Sequence, residues 1–156
     1  MCRDRTRTVI EQFLKFTEDQ NFDGHREILA EDCVFTYPYA AENAPSEIAG
    51  REKIVEQALI GGWQTRQSMK VLEMNYAALE DPEWALIQWR NTSVTNDDRP
   101  YDQTFVNVIR VVDGKIIEFI EYYDPLVELA AGNPRARTTG SEQPREGVTS
   151  SQGQRA

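Results

Sequence analysis

A chain of 156 residues, 40% of them hydrophobic, is long enough for one domain with a real core and too short for two ordinary ones. A formal net charge of −9 argues against nucleic acid, whose phosphates require a basic surface, and no run approaches the roughly 18 apolar residues of a membrane span. Residues 133–156 hold four Arg and two Glu, which leaves 13 basic and 24 acidic residues, net −11, on residues 1–132. So acidic a body also disfavours membrane surfaces and polyanions.

The N-terminal stretch MCRDRTRTVIEQF is charged and lacks the uninterrupted apolar region of a signal peptide, which points to a cytoplasmic location. Cys2 and Cys33 are the only cysteines, too few for a disulfide framework and without metal-ligand spacing; Cys33 reads as a small core residue. Val9, Ile10, Phe13, Leu14 and Thr17 recur at helical spacing and predict an amphipathic helix over 5–19. A shorter helix is expected over 23–29, with His25 in it as a solvated side chain beside Arg26 and Glu27. The run 32–39 reads as a strand that Pro38 stops or bends, with Phe35, Tyr37 and Tyr39 on one face. After a loop over 40–49, Gly50 opens a third helix, REKIVEQALI, whose buried face includes Ile54, Ala58 and either Val55 or Leu59. Gln57 lies close to that face as a rim or lining residue, and Gly61-Gly62-Trp63 is expected to break the helix.

Strands are expected over 69–79, 84–94, 101–112 and 115–124, joined by turn-rich connectors. Helices first and a four-strand antiparallel meander second argue for an α+β domain over 1–132, in which the sheet curls around the helices. One helical turn is expected to close it at 126–131. The tail 133–156, with one Val and no Leu, Ile or aromatic residue, lacks the apolar surface to offset its ordering entropy and is expected to be mobile.

There is no phosphate-cradling Gly-rich loop, GxSxG elbow or HExxH, and only one His, so histidine triads and multi-histidine metal sites are disfavoured. What remains is carboxylate, amide, phenol and indole chemistry. It gathers in YDQTFVNVIRVVDGKIIEFIEYYDP, the stretch 101–125. Glu121 sits there among Phe119, Ile120, Tyr122 and Tyr123, so its carboxylate either faces water or lies in an apolar enclosure. A two-residue Asp113-Gly114 turn would set Val112 opposite Lys115 and Glu121 opposite Val106. A three-residue loop with a Gly114 bulge would set Val111 opposite Lys115 and Glu121 opposite Phe105. The second is preferred: it groups Tyr101, Gln103, Phe105, Asn107 and Ile109 with Ile117, Phe119, Glu121 and Tyr123, and leaves Arg110 outside. Alternation adds Trp89 and Asn91 to one face and exposes Gln88 and Arg90. Such an aromatic enclosure with one carboxylate suits a small molecule. Equally, Asn91 and Asn107 read as satisfied amides, and Tyr101 and Trp89 as packing groups.

The element order, with NFDGHREILAEDCVF, AGREKI and VVDGKIIEFIEYYDP, resembles the nuclear transport factor 2-like superfamily, within it the SnoaL-like polyketide cyclases, and more closely the phenazine-biosynthesis A/B proteins. YDQTFVNVIRVVDGKI and PREGVTS are similar to segments of the latter. The resemblance implies a cone-shaped α+β barrel, a homodimer, and a hydrophobic pocket that serves cyclases, isomerases or purely binding proteins. It sets Glu121 at the position of a pocket general acid and Tyr101 at that of a family tyrosine. Gln57 stands where a histidine is implied, and glutamine cannot transfer a proton. Limonene epoxide hydrolases need an Arg and an Asp where this chain has Trp89 and Asn91. The expectation is a cofactor-free, metal-free enzyme of secondary metabolism acting on a small apolar or aromatic molecule, with Glu121 catalytic. Tyr101, Asn107, Gln57, Trp89, Asn91, Trp63, Tyr37 and Tyr39 would contact substrate. A non-catalytic binding or dimerisation module is the alternative.

Overall fold

The computed structural model describes residues 3–42 and 44–132; the expectations for Cys2 and for the 133–156 tail lie outside those residues. Helix α1, Arg3–Asp19, turns Val9, Ile10, Phe13 and Leu14 inward, and α2, Phe22–Ile28, follows after an Asn21 cap whose side chain accepts the Gly24 N–H. Strand β1 covers Leu29–Thr36 and β2 covers Glu47–Ala49. Helix α3 runs over 51–64, as Arg51–Lys53, a π-wound Ile54–Ile60 and Gly61–Gln64. Strands β3 (Arg66–Ala78), β4 (Trp84–Thr95), β5 (Gln103–Val112) and β6 (Lys115–Tyr123) form the meander, and α4, Pro125–Ala130, ends the described chain.

One six-stranded sheet has the order β2-β1-β6-β5-β4-β3. Neighbours are antiparallel except β1 and β6, which run parallel. The expected α+β class with an open, curved sheet against N-terminal helices is what forms. The alternating burial of β4 and β5 sends Ala85, Ile87, Trp89, Phe105, Ile109 and Val111 into one core with the inner faces of α1 and α3.

Two local expectations fail for identifiable reasons. The segment 40–49 is not all loop: Ile48 pairs with Phe35 and is buried, although three residues are too few to carry a readable period. Nor does Gly61-Gly62 break α3. Ile54, Val55 and Leu59 are buried, and Ala58 only partly; that packing outweighs a glycine propensity cost of about 1 kcal/mol per residue.

The β5–β6 hairpin corrects both registers considered. Val112 pairs with Lys115, so the loop is the two residues Asp113-Gly114, with φ of +50° and +79° as a type I′ turn requires. A Cβ on Gly114 would also meet the Arg5 guanidinium at 2.8 Å. Val111 then pairs with Ile116 but Arg110 with Glu118, leaving Ile117 as the extra residue of a bulge. From there on Asn107 faces Glu121 and Phe105 faces Tyr123. The bulge puts Ile116, rather than Ile117, in the core, yet leaves Phe119, Glu121 and Tyr123 on the inner face. Arg110 stays outside, paired with Glu83 and Glu118.

His25 is not solvated. It is fully buried, with Phe13, Phe16 and Phe22 ring centroids 5.0, 5.9 and 6.3 Å away. The Thr17 hydroxyl donates to the Phe13 carbonyl at 2.8 Å, so it accepts from His25 Nε2–H at 3.0 Å, which selects that tautomer. Burial lowers the His25 pKa to about 4 from 6.5. The unfolded chain therefore binds more protons than the folded one between those values. The stabilisation from this site is whole above pH 6.5 and is lost as pH falls towards about 4, on the order of 3 kcal/mol in all. Urea midpoints at pH 7 and 4.5 are expected to differ more for the wild type than for His25→Leu. Equal differences would remove His25 as a source of acid lability.

Candidate functional site

Between the inner face of the sheet and helices α1 and α3 lies a cavity. It leaves about 110 Å³ for the centres of water-sized molecules, several times the roughly 10–15 Å³ that one water needs on that measure. Its walls are largely aromatic. Phe35 stacks on Phe119 with centroids 4.4 Å apart and planes 18° apart, directly across the parallel β1–β6 pairing. Trp89 stacks on Phe105 at 4.3 Å and 17°, directly across β4–β5. Trp63, at the end of α3, is held by its indole N–H donating to the Thr17 carbonyl at 2.8 Å.

Glu121 lies on this wall with 6% of its surface exposed. Its setting is specific. Trp89 Nε1–H donates to Asn107 Oδ1 at 2.6 Å, and Asn107 Nδ2 donates to Glu121 Oε2 at 3.2 Å. An indole can only donate, so it fixes which end of the Asn107 amide is oxygen and leaves the NH2 end for the carboxylate. Three strands thus supply one relay: Trp89 on β4, Asn107 on β5, Glu121 on β6.

Of the residues singled out from sequence, Glu121, Trp89, Asn91, Trp63, Tyr37 and Gln57 line the cavity. Gln57 does so from the exposed mouth, on the π-wound turn. Three do not line it. Asn107 is fully buried behind Glu121. Tyr101 is 1% exposed, its ring under the Arg66 guanidinium at 5.3 Å. Tyr39 is 58% exposed and packs edge-on to Tyr122: β1 ends at Thr36, and the turn closed by Ala40 N–H to the Tyr37 carbonyl interrupts the alternation that would have kept Tyr39 with Phe35. Arg66, Met69 and Thr17 also line the cavity. Arg66 had no sequence signal, since it lies between the helix pattern and the first residue of the expected strand. Among the described residues no cluster of three or more His, Cys, Asp or Glu is placed to hold a metal ion, and no described helix is long and apolar enough to cross a membrane.

The family model of the SnoaL-like domain matches residues 10–119, well over half of the chain. The chain belongs to the SnoaL-like family. A relative named as the uncharacterized protein YesE, of Bacillus subtilis (strain 168), is 25% identical over 120 residues, 76% of this chain and 81% of its own. A B. subtilis structure named as an isomerase aligns with TM-score 0.75 at 23% identity, over 85% of this chain and 97% of that one. A phenazine biosynthesis-related protein of Pseudomonas aeruginosa aligns with TM-score 0.73 at 16% identity, over 94% and 90%. One named as a polyketide cyclase, from Xanthomonas campestris pv. campestris, gives 0.70 at 16% identity, over 83% and 97%. These likenesses establish the SnoaL-like, nuclear transport factor 2-like fold; the activities named belong to those proteins.

Proposed function

We propose that this SnoaL-like protein is a cofactor-free enzyme that moves a proton on a small, flat, largely apolar carbonyl compound, with Glu121 as the acid and base. The observation that carries this reading is the buried carboxylate on an aromatic cavity wall, oriented through Asn107 by the Trp89 indole. In one turnover Glu121 would take a proton from a carbon next to the carbonyl, whose oxygen receives the electron pair. It would then return the proton at another carbon, giving an isomerisation, or the enolate carbon would close a ring on an internal carbonyl carbon, whose C=O electron pair moves to its oxygen and takes the proton back from Glu121. Nothing is consumed, so no co-reactant is needed for the first outcome. Trp63, Trp89 and Tyr37 would flank the ring system, and Gln57 and Asn91 would offer amide donors to its oxygens. Asn107 acts through Glu121, and Tyr101 through Arg66, as positioning residues. A homodimer of secondary metabolism in the cytoplasm is the proposed setting.

A second reading is a binding module without turnover. Gln57 favours it, because the amide at the cavity mouth cannot exchange a proton. Deuterium incorporation from D2O into 2-tetralone, followed by proton NMR, separates the two. Proton transfer by Glu121 is expected to speed α-deuteration well beyond the buffer rate. Saturable 2-tetralone binding with exchange at the buffer rate would give the site to the binding module.

A further inference from the structure

We infer that Asn91 marks a carbonyl-binding position remote from Glu121, so that the ligand is a flat apolar compound with a carbonyl at the end opposite the carbon that Glu121 would deprotonate. The position rests on the small-molecule reading of this cavity, and not on proton transfer at Glu121. Asn91 is 1% exposed and lines the cavity from β4. Its Oδ1 accepts the backbone N–H of Gln103 at 3.0 Å. A backbone N–H only donates, so the amide cannot be turned round, and the NH2 is the end left over. That Nδ2 has no acceptor among the described residues. Buried donors are almost always satisfied, so this one is left for an acceptor brought into the cavity.

A carbonyl fits that donor best. The Asn91 NH2 is uncharged and can only donate, and a carbonyl oxygen accepts without bringing a hydrogen that needs a partner of its own, as a hydroxyl would. The surroundings favour a ring-borne carbonyl over a lone water. Trp89 lies two residues away on the same face of β4 and stacks on Phe105, and its indole N–H is already given to Asn107. Met69 adds a thioether from β3, where it pairs with Ser93. A buried water needs about two to four polar partners, whereas a ketone on a flat ring needs the one donor and rests its rings on Trp89 and Phe105.

The sheet register sets this position far from Glu121. Asn91 on β4 pairs with Gln103 on β5, and Asn107, further along β5, pairs with Glu121 on β6. At roughly 3.3 Å per residue and about 4.8 Å between strands, the two backbone positions lie about 13 Å apart along the strands and about 10 Å across them. Side chains stand roughly perpendicular to a sheet, so the gap exceeds what one carbonyl and its neighbouring carbon can bridge. A carbonyl bonded to Asn91 is therefore not the one whose neighbouring carbon meets Glu121. On the proton-transfer reading, the substrate is then a dicarbonyl compound, its two carbonyls separated by the apolar body.

The test compares 2-acetylnaphthalene with 2-isopropenylnaphthalene, in which a CH2 replaces the carbonyl oxygen on nearly the same planar shape, by proton–nitrogen NMR titration of the protein at neutral pH. Wild-type protein is expected to bind the ketone about 3–10-fold tighter, the scale of one neutral hydrogen bond. The Asn91 NH2 protons should move downfield with the ketone alone. Asn91→Asp keeps an oxygen for the Gln103 N–H and puts a second oxygen where the NH2 was, so it should abolish the preference while still binding 2-isopropenylnaphthalene. Equal affinities in the wild type would overturn the inference even if Asn91→Asp failed to fold, and leave the cavity reading intact. A preference that survives in Asn91→Asp, or an acetyl methyl that shows NOEs to Glu121 rather than to Asn91, would overturn it too. Binding of neither ligand would sink both.

Discussion

Phe119→Ala is expected to destabilise the protein by about 3–5 kcal/mol, the largest loss from any single truncation proposed for this fold. Phe119 is 1% exposed, stacks on Phe35 at 4.4 Å and lies 4.9 Å from Phe13. It joins three elements at once: β6, β1 through the parallel pair Phe35–Phe119, and α1 through Phe13. Besides buried area, its removal cancels two ring contacts worth about 0.5–1.5 kcal/mol each. The neighbouring cavity matters here. Side chains that already border empty space cannot draw packed matter into a new void, so the relaxation that softens such truncations is small. Urea denaturation should give a lower midpoint at unchanged slope, the sign of altered stability rather than altered compactness. A loss under about 1 kcal/mol would mean that the aromatic stack does not hold the β1–β6 seam. Phe119→Leu, which keeps most of the volume, should recover much of the difference.

That seam also marks the limit of what periodicity reveals. The inner face of β4 and β5 is legible because each strand alternates without interruption, from Ala85 to Thr95 and from Gln103 to Val111. Alternation puts Glu121 on the correct face through an incorrect pairing. A bulge at Ile117 adds one residue after a two-residue turn, and two offsets of opposite origin restore the parity that a three-residue loop would also have given. Asn107 opposite Glu121 is what the preferred register missed, and with it the relay that orients the carboxylate. His25 departs from its sequence expectation for a different reason. Its chain neighbours Arg26 and Glu27 are polar, whereas its surroundings come from Phe13 and Phe16 on another helix, which no local window contains. Arg66 shows the same limit at the cavity: its role depends on Gly62, Met69 and Tyr101 meeting around it. Tyr39 shows the converse, a period carried one turn too far past Pro38. Local sequence reports faces well where the backbone stays regular, and poorly where a bulge, a turn or a second element decides what a side chain meets.

Glu121→Gln is expected to slow protein-catalysed deuteration of 2-tetralone by about 10²–10⁴-fold, the range of a positioned general base, with little change in stability. The substitution is close to isosteric, and its amide oxygen can still accept the Asn107 Nδ2–H that now reaches Oε2 at 3.2 Å. Trp89 Nε1 would remain bonded to Asn107 Oδ1, so the two donors of the relay keep their acceptors and the urea midpoint should stay within about 1 kcal/mol of wild type. What the amide lacks is a proton-accepting lone pair of useful basicity. The loss should therefore fall on kcat, with KM for 2-tetralone nearly unchanged, because the stacked aromatic walls that would bind its rings are untouched. Asn107→Leu should behave in the opposite way. It strands the Trp89 indole N–H in the core and removes the Asn107 donor from Glu121, so its first effect is on stability, about 1–3 kcal/mol for the orphaned indole alone. Any loss of rate would follow from a carboxylate no longer held in line. Deuteration by Glu121→Gln at the wild-type rate would remove Glu121 from the chemistry, whatever the cavity binds. A slowed variant with an intact fold and intact ligand affinity would tie the proton transfer to this one carboxylate, since no other Asp or Glu is among the described residues that line the cavity.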